Sequence, residues 1–350
     1  MSTSATPIQD APVPFSGATD SDHSNHPADF ILRSSDGVDF HVHKDILKFV
    51  SDCFDGMLAI PQGDSDPTDL QRDDKPVLVM PESKAILYRL LCLAYPAHAV
   101  SHYTLQSADL DGIVDVYKAA HKYQFTRVQD LLNQMLSNTA LVDGQPHRVF
   151  AIATLCGLPG LVRQAAISVL TSAVGCRPPA FPEMELLTWA NAHKLSEFHE
   201  KCGLHAEELL TFNKRILSAN GFVLDGITFK GHMWNEETNK PFVWWKIEGH
   251  SEQCGRGCGK RFTSRGESLR ENPVQWFQNQ INRVASNIRL CPSADTVEHE
   301  SWLTVKDPDR DIVKGCPVCS DEWMVDLFRF WRQIGADIKR LNVTAAAKSF

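Results

Sequence analysis

The sequence predicts an α+β protein of 350 residues assembled from dissimilar parts. Three observations carry that expectation. Alternating, turn-bounded runs read as strands near residues 29–43, 77–80 and 222–247. Between and after them, apolar residues recur three and four apart over stretches long enough for helices. Charge and tryptophan are also divided unevenly. Residues 1–210 hold 15 basic against 26 acidic side chains and residues 211–350 hold 20 against 17, so the net charge of −8 splits into −11 and +3. Seven of the eight tryptophans, Trp234, Trp244, Trp245, Trp276, Trp302, Trp323 and Trp331, lie beyond residue 211.

Composition sets the bounds. With 43% hydrophobic and 22% charged residues, the chain has the make-up of a folded globular protein, and its length allows two or three domains with a core each. No run reaches the eighteen or so apolar residues of a membrane span, and the opening MSTSATPIQD lacks a basic region followed by an apolar one. An intracellular chain with no membrane partner is expected, cytoplasmic or nuclear. In a reducing compartment clustered cysteines bind metal more often than they pair. Ten cysteines are present, and Cys53, Cys92, Cys156, Cys176 and Cys202, scattered among apolar residues, read as core fillers.

Residues 1–27 combine Ser, Thr, Pro, Asp and Ala with no basic side chain, a composition expected to form a disordered tail. From Asp29 a hairpin is predicted: Asp29-Phe30-Ile31-Leu32-Arg33-Ser34, the turn Ser35-Asp36-Gly37, then the alternating Val38 to His43. Two short helices follow over 44–50 and 53–58, the second with Ser51 as cap. Residues 61–75 form an acidic loop, Val77–Met80 a third strand, and 83–95 and 109–136 two helices, Pro96 closing the first.

The series Asp29, the hairpin, His43-Lys44, Leu47, Ser51, Phe54 and Met57, with the later Tyr95-Pro96 and Ala119-Ala120-His121-Lys122-Tyr123, resembles the BTB/POZ family over residues 28–137. The resemblance implies a small sheet capped by helices that serves homodimerisation and protein-partner binding rather than catalysis. The family's cullin-recruiting members often carry a hydrophobic residue two before a Glu in the loop after the Met57 helix. Leu70-Gln71-Arg72 is all this chain offers there. Cullin adaptor function is therefore an alternative to a general scaffold. Residues 138–215 continue as helices broken by Gly157-Leu158-Pro159-Gly160 and are similar, loosely, to the helical extension that follows many BTB domains.

A smaller α+β, zinc-stabilised module is expected over 216–350. Strand signals at Phe222–Leu224, Ile227–Phe229 and Phe242–Ile247 precede Cys254-Gly255-Arg256-Gly257-Cys258-Gly259. A helix with Trp276, Phe277, Ile281, Val284 and Ile288 on one face ends at Cys291-Pro292. Cys316-Pro317-Val318-Cys319 then leads into a last helix opened by Ser320-Asp321-Glu322. A structural Zn²⁺ takes four tetrahedral ligands, and cysteines two to four residues apart place two thiolates on one side of a tight turn. Cys254, Cys258, Cys316 and Cys319 fit that pattern, and Cys291, His250 or His299 could replace one of them.

Other chemistries fit the same residues less well. His250-Ser251-Glu252 with the later cysteine pair spells part of a zinc deaminase, but that pattern has Pro directly before its first Cys, whereas Pro317 lies between the two here. His199, Cys202 and His205 have no partner at a recognisable distance, and no phosphate-cradling glycine loop occurs, so no catalytic centre is expected. Lys260, Arg261, Arg265, Arg270, Arg283 and Arg289 could face a nucleic acid, though acidic residues nearly balance them.

Overall fold

The computed structural model describes residues 8–17, 27–60, 70–96, 110–172, 180–210, 221–229, 231–255, 260–262, 266 and 268–350. The chain divides into two compact units, Met1–Gly144 with Leu155–Leu158, and Gln145–Thr154 with Pro159–Phe350.

The first unit is built on strands β1 (Gln9–Asp10), β2 (Phe30–Arg33), β3 (Val38–Val42), β4 (Gln71–Arg72) and β5 (Lys75–Val79), ordered β1-β3-β2-β5-β4. Alternation from Phe30 to Val42, broken at Gly37 with φ of 80°, makes β2 and β3 an antiparallel hairpin. β5 adds to β2 in parallel. The helices are α1 (Lys44–Val50), α2 (Asp52–Ala59), α3 (Lys84–Ala94), α4 (Ile113–Lys122), α5 (Thr126–Leu136) and α6 (Thr139–Gly144). Ser51 caps α2 as expected, its hydroxyl accepting from Phe54 N at 3.0 Å. The core joins Ile31, Leu32, Phe40 and Val42 of the sheet to Leu47, Phe54, Leu87, Leu91, Val116 and Leu132.

Two expectations are corrected in this unit. The helix predicted over 109–136 is two helices, because Gln124 takes a left-handed φ of 56° and Phe125 N returns to Ala120 O at 2.8 Å, ending α4. Within the span expected as a disordered tail, residues 8–17 are placed on the sheet. β1 runs parallel to β3, and Phe15 is buried. A single large aromatic with a ready pocket anchors a segment whose average composition is that of a tail.

The second unit begins with α7 (Pro146–Leu155, its last residue belonging to the first unit), α8 (Pro159–Val169) and the 22-residue α9 (Trp189–Leu210). Short antiparallel pairs follow: β6 (Phe222–Leu224) with β7 (Ile227–Phe229), β8 (Trp234–Asn235) with β9 (Lys240–Pro241), and β10 (Lys260–Phe262) with β11 (Ser268–Arg270). Then come α10 (Gln275–Ile288), α11 (Ala294–Glu298), α12 (Asp309–Lys314) and the 31-residue α13 (Cys319–Ser349).

The run Phe242–Ile247, expected as a strand, instead holds a 3-10 turn at Val243–Trp245. All of Phe242, Val243, Trp244 and Trp245 are buried, which a strand exposed on one face could not achieve, and Asp326 accepts from Val243 N at 2.8 Å to fix the turn. Trp244 stacks on Phe277 at 3.9 Å and meets the Phe330 edge at 5.6 Å. Ala206, Leu209 and Leu210 of α9 lie in this same core; of the helices over 138–215, α8, α9 and most of α7 belong to the second unit and α6 to the first.

Candidate metal centre

In the second unit two turns converge. The first is Ser251–Gly255, closed by Gly255 N to Ser251 O at 2.7 Å and by Cys254 N to the Ser251 hydroxyl at 3.3 Å. The second is Gly315–Cys319, where Cys316 N bonds Val313 O at 3.2 Å and Ser320 N bonds Cys316 O at 2.9 Å, delivering Cys319 as the first residue of α13. Close approach explains a glycine on the first turn's entry. Gly249 has φ of 83°, and a Cβ there would sit 2.7 Å from Val318 Cγ2.

The turns bring together His250, Cys254, Cys316 and Cys319, whose ligand atoms all lie within 4.8 Å of one another. His250 Nδ1 is 3.5 Å from Cys254 Sγ, 3.3 Å from Cys316 Sγ and 3.5 Å from Cys319 Sγ, and the Cys254 and Cys319 sulfurs are 3.5 Å apart. The three cysteines are fully buried. Three of the four expected ligands and one of the named substitutes are therefore adjacent. Cys258 lies outside the described residues. Cys291 donates to Ser172 O at 3.5 Å and His299 Nδ1 accepts from Ser301 N at 3.2 Å, so both are engaged elsewhere.

The electrostatics set these thiols apart. Burial pushes Cys92 up to about 11 and Cys156 and Cys202 up to about 12, as it does any thiol in an apolar interior. Cys254 goes the other way, lowered to about 5 by its hydrogen bond with Cys319, against burial and with help from His250. Burial would raise Cys316 as well, but the backbone N–H groups of Ser251, Cys319 and Val318 and the His250 ring outweigh it. The remaining proton rests on Cys319, raised by the neighbouring Cys254 and by burial, with the Trp276 indole opposing. Burial disfavours charge on His250, and Cys254 and Cys316 overcome it, so the imidazole holds its proton above the usual value.

A buried cation stands next to the first turn. Arg270 Nη2 donates to Ile247 O at 3.2 Å and lies 3.0 Å from where a Cβ on Gly255 would be, while its Nη1 has no partner among the described residues. Of the other basic residues singled out from the sequence, Arg283 bonds Gln280, and Arg289 reaches Glu207 at 3.6 Å. Arg265 and the side chains of Lys260 and Arg261 lie outside the description. Of the scattered cysteines, Cys92 and Cys202 are buried and Cys53 and Cys156 half-buried; Cys176 lies outside the described residues.

A second buried polar group, missed in the sequence, sits in the first unit. Asp39 has no exposed side-chain surface and accepts from Arg33 at 2.6 and 2.9 Å and from Arg72 at 2.7 Å. Burial would raise its carboxyl, but the two guanidiniums hold it below the usual value. The alternation Val38-Asp39-Phe40 signalled only that Asp39 faces away from Phe40, and Arg72 comes from a separate strand, so nothing local linked the two.

The BTB/POZ domain family model matches residues 19–140, and that part of the chain is a BTB/POZ domain. No curated protein matches the chain. Among the described residues no helix is long and apolar enough to cross a membrane.

Proposed function

We propose that the protein is a non-enzymatic interaction adaptor or scaffold that self-associates through its BTB/POZ domain and carries a structural Zn²⁺ on His250, Cys254, Cys316 and Cys319. His250, one of the residues named as a possible substitute, is the fourth ligand in this reading. The observation that carries the metal assignment is the spacing of the four ligand atoms. With Zn–S near 2.3 Å and Zn–N near 2.0 Å, the edges of a regular tetrahedron are about 3.8 Å between sulfurs and about 3.5 Å between sulfur and nitrogen. Four of the six separations, at 3.3–3.5 Å, come within about 0.3 Å of those edges, and the other two lie within 4.8 Å.

Charge and chemistry agree with the same ion. Three thiolates and Zn²⁺ sum to −1, and buried Arg270 beside Gly255 supplies a compensating positive charge. Backbone N–H groups aimed at Cys316 are the support that cysteine-ligated zinc turns require. Four protein ligands close the coordination sphere and leave no position for a reacting water, which favours a structural over a hydrolytic role. Glu252, the acid a deaminase would need beside its ligand, is exposed.

The adaptor half of the proposal is supported by the domain match. Metal analysis of the full chain tests the zinc: about one equivalent, with melting lowered by a chelator, is expected. Less than half an equivalent with chelator-insensitive melting would sink it. Light scattering tests self-association, and a mass that stays at the 39.1 kDa of one chain at micromolar concentration contradicts the dimer.

A further inference from the structure

Residues 8–17 lie outside the span that matches the BTB/POZ domain, and they run along the β3 edge of its sheet. Gln9 N bonds Gly37 O at 3.1 Å, Ala11 N bonds Asp39 O at 2.8 Å, and His41 N donates to Phe15 O at 3.0 Å. At one end is a cationic pocket. Arg33 and Arg72 both bind the single carboxylate of Asp39, which leaves one positive charge over. Asp10 meets it, 2.8 Å from Arg72 and 3.3 Å from His41 Nε2, with exposed Asp73 farther off at 3.7 Å. At the other end Phe15 sits among Phe40, Tyr88 and Tyr95, with centroids at 6.2, 6.2 and 5.1 Å, and the two tyrosines meet it edge-on.

Besides these contacts the Tyr88 hydroxyl donates to Val13 O at 3.2 Å. Ala11 and Phe15 are buried, but Ile8 and Val13 are exposed, and the strand pairing extends over Gln9 and Asp10 alone. Arg72 is held by Asp39 as well as by Asp10, so its guanidinium has an anchor that does not belong to the segment. A charged socket, an open strand edge and an aromatic cage in line are the parts of a strand-addition site, where backbone bonds give affinity and side-chain pockets give selectivity.

We propose that the β3 edge of the BTB/POZ domain is a docking site for an extended segment of a partner protein bearing a carboxylate and, five residues later, an aromatic ring. Residues 9–15 of this chain are its built-in competitor. Tethering gives that competitor an effective concentration in the millimolar range, so a partner binds only as far as the segment leaves. The proposal stands whether or not the chain self-associates or holds zinc.

The test uses a labelled peptide of the sequence IQDAPVPFSG and the full chain. The variant Asp10→Ala/Phe15→Ala loses the internal anchors and keeps the β3 edge. It is expected to bind the peptide saturably and at least about 10-fold more tightly than the wild-type chain does. Adding Arg72→Gln, or replacing Phe by Ala in the peptide, should remove the gain. A folded double variant that binds no better than wild type overturns the proposal. Should the double variant fail to fold, hydrogen exchange in the wild-type chain decides. Excess peptide should release the Ala11 amide while the His41 amide stays protected, and no change at Ala11 overturns the site. A wild-type dimer that the double variant cannot form would mean exchange between two copies and overturns the partner assignment.

Discussion

Asp39 in the BTB/POZ sheet and the His250–Cys254–Cys316–Cys319 group in the second unit are both removed from water, yet they are neutralised differently. Asp39 is satisfied from within the chain, by Arg33 and Arg72, and the surplus positive charge is met by Asp10. The cysteine group has three thiols around one imidazole, two of them more acidic than usual, and keeps a proton on Cys319. A buried ion pair closes when its partners fold together, whereas a cluster of like-signed ligands closes only when a cation joins it. The first unit's polar centre is complete as a polypeptide, and the second unit's, on the proposed assignment, is completed by its ion.

The comparison breaks most sharply on stability. Cys319→Ala should abolish zinc binding and remove the cooperative melting of the second unit, because a structural zinc ion contributes on the order of 10 kcal/mol of apparent binding free energy in small modules. Chelation of the wild-type chain should reproduce that loss and leave the BTB/POZ transition in place. Asp39→Ala should do the opposite, lowering the first unit's stability by about 3 kcal/mol, since it removes the carboxylate of Arg33 and leaves Arg72 with Asp10 alone, and showing no response to chelator. Calorimetry of the two variants, with and without chelator, separates the effects. If chelator shifts both transitions equally, the contrast between the units is wrong.

Acid should separate the units by a smaller margin. The Asp39 carboxyl is lowered from 3.8, so its stabilisation is present above that value and is lost only as pH falls below it, through the folded value. In the metal-free chain Cys254 is lowered from 9.0 to about 5, so its contribution is full above 9 and declines as pH falls from there through about 5. Denaturant unfolding of the chelated chain, followed by tryptophan fluorescence, should therefore show the second unit weakening between pH 9 and 5. The first unit, followed through the far-ultraviolet signal, should hold to below pH 4. A second-unit midpoint that does not move over that range would refute the Cys254 assignment.

How much of this was legible in the sequence follows from the range of each signal. The β2–β3 hairpin and the Ser51 cap are local and were readable, as was the Cys316–Cys319 turn, where two residues separate the cysteines. The place of His250 beside Cys254, Cys316 and Cys319 was not, because in the sequence His250-x-x-x-Cys254 and Cys254-x-x-x-Cys258 have equal spacing and nothing local ranks one above the other. The Asp39–Arg72 contact joins residues 33 apart, and Phe15 reaches a cage made by β3 and α3, so neither leaves a periodic trace. Gln124 shows the same limit within one helix, since its left-handed backbone is unmarked by any glycine or proline.

Arg270 offers the finest test. Its guanidinium is buried at 7% exposure, one nitrogen is committed to Ile247 O and the other has no partner among the described residues, a costly arrangement unless a negative charge stands nearby. The metal-loaded cluster carries −1 and the metal-free cluster can shed charge by protonation, so Arg270 favours the loaded form. Arg270→Leu should weaken zinc affinity by about 10- to 100-fold, the usual effect of removing a group that supports a metal's ligands. Arg270→Lys, which keeps the charge, should recover most of that loss. Competition with a chromophoric chelator measures both. Equal losses for Leu and Lys would mean that Arg270 acts through its bond to Ile247 O, holding the turn in shape, and not through its charge.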